Sequence, residues 1–283
     1  MKLRRILYTT ACILGVWIFL AQCVILKNRI SDAGAYALFG RHQTSLRIND
    51  TVVNGHKIHY GITGNDTLPT LIFIHGSPGS WTNYRACMWD SMLRSTYRMV
   101  SIDRPGFGYS DFGNVLHLQE QAATILPVIQ SLKNGKPITL FGHSMGAPVA
   151  VQIAASDPSL INRLVLAGAP LDVRQEQPEL WRRLMDKGPL PILLPGAFSP
   201  SNRELLYLKK DLLQLETEFA RITAAVYFFH GDKDSWVPIE NVGFGISKMV
   251  NAVKIQSDTL TGAGHLIPWE NQEEFLEYLR RLD

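Results

Sequence analysis

The sequence Gly-His-Ser-Met-Gly at residues 142–146 constrains the fold more than any other stretch of this chain. It follows an apolar run at 137–141 and precedes a helix-compatible run at 147–156. Glycine at both ends suits a tight turn in which a helix packs closely behind a strand. The pattern therefore predicts a nucleophile elbow that holds the Ser144 hydroxyl at a sharp tip, exposed at the edge of a sheet.

Apolar, strand-like runs alternate with helical patterns after residue 45. We predict strands at 46–53, 56–61, 70–75, 98–103, 138–142, 160–167, 225–230 and 253–260, and helices at 83–93, 117–132, 147–155, 238–249 and 271–282. The first two strands flank Asn54-Gly55, a dipeptide typical of hairpin turns. The alternation predicts an α/β domain with a mostly parallel central sheet, flanked by helices on both faces and starting with an antiparallel hairpin.

The stretch between residues 167 and 225 breaks this alternation. It is rich in large apolar side chains and contains prolines at 178, 189, 191, 195 and 200. We predict a small lid insertion at about 171–220, built of short helices and turns, over a pocket. Its glutamates at 176, 179, 204, 216 and 218 are interpreted as solvated helix faces.

Residues 6–26 are almost wholly apolar. As a helix they would extend about 32 Å, which is enough to cross a bilayer. Lys2, Arg4 and Arg5 precede the segment and favour a cytoplasmic N-terminus, with the remainder of the chain outside. We predict a single transmembrane helix, a signal-anchor within residues 1–30, then a linker at 31–44 and a catalytic domain at 45–283, which would be periplasmic in a bacterium.

Two alternatives to the anchor remain open. One is a cleaved signal peptide, although the apolar run is long for that and the nearest small-x-small site, at 33–35, comes late. The other is a lipoprotein modified at Cys23, although Gln22 stands where a small residue is usual. Cys87 is then the only cysteine of the soluble part, and it is interpreted as a packing residue.

The net charge of +3 is unevenly distributed. Residues 1–30 hold five Lys/Arg and no Asp/Glu, so the rest of the chain carries 23 Lys/Arg against 25 Asp/Glu, a net of −2. A nucleic-acid-binding domain would require a basic patch on the folded part. We therefore expect no nucleic-acid partner. No metal-ligand spacing is visible either, and we expect no metal and no cofactor.

Acyl transfer requires a nucleophile, a base, an anion that orients the base and donors for an oxyanion. Ser144, His265 and Asp234 supply the first three. Along the chain they follow the order Ser, Asp, His, which is the order used by α/β enzymes with a serine nucleophile elbow. The loop after the strand at 70–75 has the sequence His-Gly-Ser-Pro-Gly and offers the Ser77 N–H opposite that of Met145. Asp172, Asp232 and Asp258 are rivals for the acid, and Trp81, His143 and Trp181 are candidates for the substrate pocket.

These segments, together with Asp-Arg-Pro-Gly-Phe-Gly-Tyr-Ser at 103–110, resemble the α/β-hydrolase fold superfamily over about residues 45–283. The resemblance is to its serine esterase, lipase and peptidase branches. Ser144 stands where the epoxide hydrolase and haloalkane dehalogenase branches have a carboxylate. The resemblance implies a serine hydrolase that cleaves carboxylic esters. The predicted anchor and the apolar lid add the expectation that it is membrane-anchored and acts on a hydrophobic or lipid-like acyl substrate. A proline-iminopeptidase-like peptidase, a thioesterase, a cofactor-free perhydrolase and a non-catalytic ligand-binding relative remain alternatives.

Overall fold

The computed structural model describes residues 2–24, 29–177 and 179–282. Ile25, Leu26 and Lys27 of the predicted membrane segment and Pro178 of the predicted lid lie outside these residues, and so does the side chain of Cys23. The strands are β1 Arg47–Val53, β2 His56–Thr63, β3 Thr70–Ile74, β4 Arg98–Ile102, β5 Ile138–His143, β6 Arg163–Ala167, β7 Ala225–Gly231 and β8 Lys254–Leu260.

The helices are α1 Lys2–Phe19, α2 Asp32–Arg41, α3 Arg85–Trp89, α4 Ser91–Thr96, α5 Leu118–Ser131, α6 Gly146–Ser156, α7 Leu180–Met185, α8 Phe198–Leu215, α9 Glu240–Lys248, α10 Ile267–Glu270 and α11 Gln272–Arg280. Short 3₁₀ turns join some of them, among them Leu190–Leu193 between α7 and α8. Within the described residues, the strands form one sheet in the order β1-β2-β4-β3-β5-β6-β7-β8. The β1–β2 and β2–β4 pairs are antiparallel and the others are parallel.

The sheet carries a hydrophobic core on each face because its central strands are buried throughout. One core packs α5, α6 and α8 against the sheet, and the other packs α2, α3, α4 and α11. The carboxyl ends of the parallel strands all meet at one edge, where the loops that follow β3, β5, β7 and β8 come together. The mostly parallel sheet with an antiparallel start, as predicted from the sequence, is confirmed.

Residues 31–44 differ from the predicted linker, because most of them form helix α2. Ser31 caps this helix through its side chain, which accepts a hydrogen bond from the Gly34 N–H. Ala35 and Phe39 are fully buried, and the Phe39 ring lies 5.9 Å from that of Trp81. Two glycines weaken the intrinsic helix propensity, so tertiary burial decides the structure here.

Two other predicted segments are divided differently. The helix predicted at 83–93 is interrupted at Asp90, whose extended backbone and side chain cap the start of α4. The lid contains α8, a helix of 18 residues rather than the short helices that were predicted. Pro200 is tolerated there because it lies in the first turn, where its missing N–H has no intrahelical acceptor.

By length and composition, one helix in the described part of the chain could cross a membrane, at residues 4–22. It consists of α1 and a π-helical turn, Leu20–Val24. Its side chains are almost all exposed in the protein, as expected for a segment that faces lipid.

Candidate active site

Ser144 lies at the sharp turn between β5 and α6. Its φ of 52° is in the left-handed region, which non-glycine residues rarely adopt. The flanking glycines are required by close packing: a Cβ on Gly142 would lie 2.5 Å from the Gly146 carbonyl oxygen, and one on Gly146 would overlap the Ile74 carbonyl. The turn therefore has the geometry of a nucleophile elbow.

His265 and Asp234 reach Ser144 from the loops that follow β8 and β7. The His265 Nε2 atom is 2.8 Å from Ser144 Oγ, and His265 Nδ1 is 2.7 Å from Asp234 Oδ2. The imidazole and the carboxylate are both nearly buried. This places a hydroxyl, an imidazole and a carboxylate in one continuous hydrogen-bonded chain.

The Asp234 carboxylate is held by several donors besides His265. Its Oδ1 atom accepts the N–H groups of Trp236 at 3.0 Å and Val237 at 2.8 Å. His230 Nε2 lies 3.4 Å from Oδ2 while it donates to the Val237 carbonyl. Burial alone would raise the pKa of Asp234, but the hydrogen bonds from His230, His265 and Val237 outweigh it and hold the pKa well below its usual range. The carboxylate is therefore ionised near neutral pH.

The three rival carboxylates have other partners. Asp232 accepts the Gly262 N–H at 2.6 Å, Asp258 accepts from the Gln256 side chain, and Asp172 binds the Arg174 guanidinium. Among the described contacts, none of the three reaches His265. The geometry therefore favours Asp234 as the partner of the imidazole.

The loop after β3 packs directly against the elbow. A Cβ on Gly76 would be 3.0 Å from the Ser144 Cβ, so a larger residue there would crowd the elbow. The backbone N–H groups of Ser77 and Met145 have no hydrogen-bond partner among the described residues. The Met145 N–H also lies at the start of α6, where backbone donors are unsatisfied by the helix itself. Both groups are free to donate to an anion.

The Arg104 side chain holds the loop after β3 through hydrogen bonds to its backbone. Its Nε donates to the His75 carbonyl at 2.7 Å and its Nη2 to the Gly76 carbonyl at 2.9 Å. Its backbone N–H donates to His75 Nε2, so the His75 Nδ1–H donates to the Gly76 carbonyl. Burial, with the charge of Arg104, holds the pKa of His75 well below its usual range, so this ring is neutral. The side chain of Arg104 is completely buried.

Glu204 on α8 neutralises Arg104 and thereby connects the lid to the loop. The two side chains form a bidentate pair, with distances of 2.7 and 2.9 Å, and Glu204 is as buried as its partner. A second link joins Ser77 Oγ to Ser201 Oγ at 2.8 Å. The interpretation of Glu204 as part of a solvated helix face is therefore wrong, because the carboxylate faces inward to a buried guanidinium.

His143, next to the nucleophile, supports the loop that carries His265. Its Nε2–H donates to the His265 carbonyl at 2.9 Å, and its ring packs 5.3 Å from that of Trp269. Burial, and next the charge of His265, lower the pKa of His143 to about 3. This neutral ring braces the loop, and the geometry gives it no contact with the Ser144 hydroxyl.

The two tryptophans predicted for the pocket lie elsewhere. The Trp81 ring is buried in the core between Phe39 and Gly61, where a Cβ on the glycine would come within 2.6 Å of it. Trp181 lies on α7 with its ring under the Arg182 guanidinium. It is half-exposed, and none of its described contacts reaches Ser144.

Two residues near the site were not singled out in the sequence. The Trp236 ring is 5.2 Å from that of His265 and is 67% exposed, so it forms an open, apolar wall beside the base. Gly168 follows β6 with a φ of 51°, and a Cβ there would lie 3.1 Å from the His265 ring. Because β6 lies between β5 and β7 in the sheet, the loop after β6 could have been expected to lie near the site.

No group of three or more His, Cys, Asp or Glu in the described ranges could hold a metal ion.

Comparison with known proteins agrees with this architecture. Residues 69–190 match the model of the α/β-hydrolase fold family. A bacterial membrane phospholipase A has a similar structure, with a TM-score of 0.65 and 22% identity over 99% of this chain and 97% of that one. The protein has the α/β-hydrolase fold. Cfl2 of Burkholderia cenocepacia is a second α/β structural match, with a TM-score of 0.67 and 22% identity over 83% and 95% of the two chains.

This α/β-hydrolase-fold protein is also similar in sequence to curated enzymes. It is 37% identical over 163 residues to the pyrrolizixenacetamide deacetylase of Xenorhabdus hominickii, covering 54% of this chain and 59% of the relative. It is 32% identical over 117 residues to epoxide hydrolase 1 of Caenorhabditis elegans, covering 40% and 28%. The chain thus spans about three fifths of the first relative and under a third of the second.

Proposed function

We propose that the protein is a membrane-anchored serine hydrolase that cleaves carboxylic esters through an acyl-enzyme on Ser144. The observation that carries the proposal is the hydrogen-bonded chain from Asp234 through His265 to Ser144, with distances of 2.7 and 2.8 Å. The strained backbone of Ser144 and the two unpartnered N–H groups beside it support the same assignment.

The reaction follows from the position of each group. His265 Nε2 takes the proton of Ser144 Oγ as this oxygen attacks the ester carbonyl, and Asp234 stabilises the imidazolium through Nδ1–H. The Ser77 and Met145 N–H groups bind the oxyanion, each contributing about 3–4 kcal/mol to the stability of the transition state. The C–O bond to the alcohol then breaks, and His265 gives its proton to the leaving oxygen. Water repeats the sequence on the acyl-enzyme and releases the acid.

Hydrophobic acyl groups are the substrates that the surroundings favour. The Trp236 ring borders the site, and the lid contacts the loop after β3 through Ser201. The apolar N-terminal helix would hold the domain at a bilayer. The names of two similar proteins, a deacetylase and a phospholipase A, both describe acyl cleavage. Lys2, Arg4 and Arg5 at the start of the helix favour a catalytic domain outside the cytoplasm.

Epoxide opening, suggested by other relatives, fits the nucleophile poorly. A serine oxygen that opened an epoxide would form an ether, which this triad has no means to hydrolyse, whereas an aspartate would form an ester. A proline iminopeptidase would need a free carboxylate to grip the substrate amine, and Glu204, one of the lid candidates, is already neutralised by Arg104. Ester cleavage therefore remains the proposal.

An acyl-chain series of nitrophenyl esters tests the proposal on the full chain in detergent. We expect hydrolysis that increases from acetyl to medium chains, and a loss of at least about 10³-fold in Ser144→Ala. Ser159→Ala is the matched control, because this exposed hydroxyl donates to Asp157 and has no other described hydrogen bond. Full activity of Ser144→Ala, or turnover of a prolyl arylamide or an epoxide without ester cleavage, would contradict the proposal.

A further inference from the structure

The apolar N-terminal helix is hydrogen-bonded to the lid. Trp17 Nε1 donates to the Leu193 carbonyl at 3.0 Å. Gln22 Nε2 donates to the carbonyls on either side of Leu193, at 2.7 and 3.1 Å. The Gly196 N–H donates in turn to the Ala21 carbonyl at 2.9 Å. The lid segment at 190–196 therefore runs along the last two turns of this helix.

These contacts set the depth of the lid if the helix crosses a bilayer. Trp17 precedes Gln22, the last residue of the candidate membrane span, by five residues. At 1.5 Å per residue, this places the Trp17–Leu193 contact about 8 Å along the helix from the end of that span. Helices that lie in the membrane interface are buried to about 5–10 Å, so the lid segment reaches the same layer.

The lid surface that continues from this contact is apolar with a basic rim. Leu180 on α7 is 82% exposed and Leu184 is 58% exposed. Trp181, Ile192 and Phe198 are also large apolar residues with exposed side chains. The exposed cations Arg183 and Lys187 accompany them. Exposed apolar residues with Lys or Arg beside them are typical of surfaces that rest on lipid with anionic headgroups.

We propose that the lid face formed by residues 180–198 is a membrane-contact surface, embedded in the interfacial layer of the bilayer that α1 crosses. Its occupant is the phospholipid bilayer: the acyl region covers Leu180, Leu184 and Ile192, and the phosphates face Arg183 and Lys187. The proposal rests on the membrane anchoring proposed above but not on the esterase activity.

The lid face at 180–198 is close in sequence to Ser201, which contacts the loop beside Ser144. Phe198 begins α8, and Ser201, in the same turn, is bonded to Ser77 of the loop against the elbow. The lid face thus ends within one helical turn of Ser201, the residue through which the lid contacts the loop that carries Ser77.

Fluorescence quenching by spin-labelled lipids tests the proposal on the full chain in phospholipid vesicles. Cys12 and Cys23 are replaced by alanine, whereas Cys87 is retained, because it is buried and burial raises the pKa of its thiol. One cysteine is then introduced by Leu184→Cys and labelled with an environment-sensitive fluorophore. We expect a blue-shifted emission and the loss of most of the fluorescence when the lipids carry a nitroxide close to the headgroup.

Two further positions serve as controls. Val250→Cys is matched for exposure, because Val250 is 68% exposed, and it lies beyond α9 at the end of the domain where the parallel strands begin. Val16→Cys reports on the helix itself. Quenching at 16 and 184 with none at 250 supports the proposal. Quenching at 16 alone overturns it and leaves the anchor standing, and equal quenching at 184 and 250 also overturns it.

Absence of quenching at all three positions overturns both the surface and the anchor. The nitrophenyl ester assay in detergent separates that result from a failure of the proposed chemistry, because it requires no bilayer. Leu180→Cys is a second position on the same face and guards against a local effect of the label. It should give the same result as Leu184→Cys.

Discussion

At the scale of single residues, the site combines a strained serine with an imidazole that is hydrogen-bonded on both sides. The left-handed φ of Ser144 is held in place by the close packing of Gly142 and Gly146. Backbone strain of this kind costs about 1–3 kcal/mol and persists only where the surrounding structure fixes it. The imidazole of His265 is fixed on its other side by Asp234. Packing on one side and the Asp234 carboxylate on the other therefore hold Ser144 and His265 in this arrangement.

Asp234→Asn should lower kcat by about 10³–10⁴-fold, because an amide does not stabilise the imidazolium and favours the wrong tautomer. The steady-state hydrolysis of a nitrophenyl ester measures this loss. Asp232→Asn is the matched control, since Asp232 is close to Asp234 in the chain and the one described hydrogen bond of its side chain is from the Gly262 N–H. Equal losses in the two variants would argue against Asp234 as the orienting acid.

The same carboxylate should contribute to stability in a pH-dependent way. The pKa of Asp234 is lower in the folded protein than its ordinary value of about 3.9, so its contribution is fully present above pH 4 and is lost as the pH falls toward the folded pKa. We expect the difference in unfolding free energy between wild type and Asp234→Asn to be constant from pH 7 to about 5 and to shrink below about 4. Denaturant unfolding between pH 3 and 7 measures this difference, and one that grows with acidity would contradict the assignment.

At the scale of elements, a buried ion pair joins the lid helix α8 to the loop after β3. Arg104 binds two carbonyls of the loop, and Glu204 supplies the only carboxylate that touches this guanidinium within the described residues. The lid therefore acts on the loop through Arg104, which is 100 positions from Glu204 along the chain. We expect movement of α8 to displace the Ser77 N–H, which is the proposed oxyanion donor on this loop.

Glu204→Gln should reduce kcat by up to about 10²-fold with little change in KM, because small displacements of a positioned group have effects of this size. The folded state should also lose about 3–5 kcal/mol, since the guanidinium is left buried without its counter-ion. Asp186→Asn removes a partly exposed lid ion pair, with Arg203, and is the control for general effects on the lid. A Glu204→Gln variant that is less stable but has an unchanged kcat would show that the loop is positioned independently of α8.

Some elements could be predicted from the sequence and others could not. The strand positions follow from apolar runs bounded by turn residues, and the fold class follows from their alternation with helices. Helix α2 was missed because its glycines lower the helix propensity of the segment. The burial of Phe39 against the rest of the domain, which stabilises the helix, is not visible in the local sequence. The pairing of Arg104 with Glu204 was missed because no local pattern reports a contact between residues so distant along the chain.

The same distinction applies to the candidate site. Ser144, His265 and Asp234 each follow a strand in a recognisable turn, so their meeting at one sheet edge is implied by parallel topology. Trp81 follows a strand in the same way, yet its ring turns into the core against Gly61. Side-chain direction after a strand depends on packing that the sequence alone does not display.

At the scale of the whole molecule, the sheet order explains why three distant residues meet. Strands β5, β7 and β8 are parallel, and their carboxyl ends deliver Ser144, Asp234 and His265 to one edge. The N-terminal helix is bonded to the lid at Leu193, and Arg29 beyond it donates to the Gly108 carbonyl and lies over the Tyr109 ring. The N-terminal helix thus contacts the domain through the lid, and Arg29 makes a separate contact with the loop after β4.

The central claim is that Ser144 is activated by His265 and Asp234, and covalent labelling by a fluorophosphonate tests it most directly. We predict a single adduct, mapped by peptide mass spectrometry to Ser144, whose rate of formation falls by at least about 10³-fold in His265→Ala. Ser159→Ala should label at the wild-type rate. No adduct, an adduct on another residue, or an undiminished rate at Ser144 in His265→Ala would contradict the account.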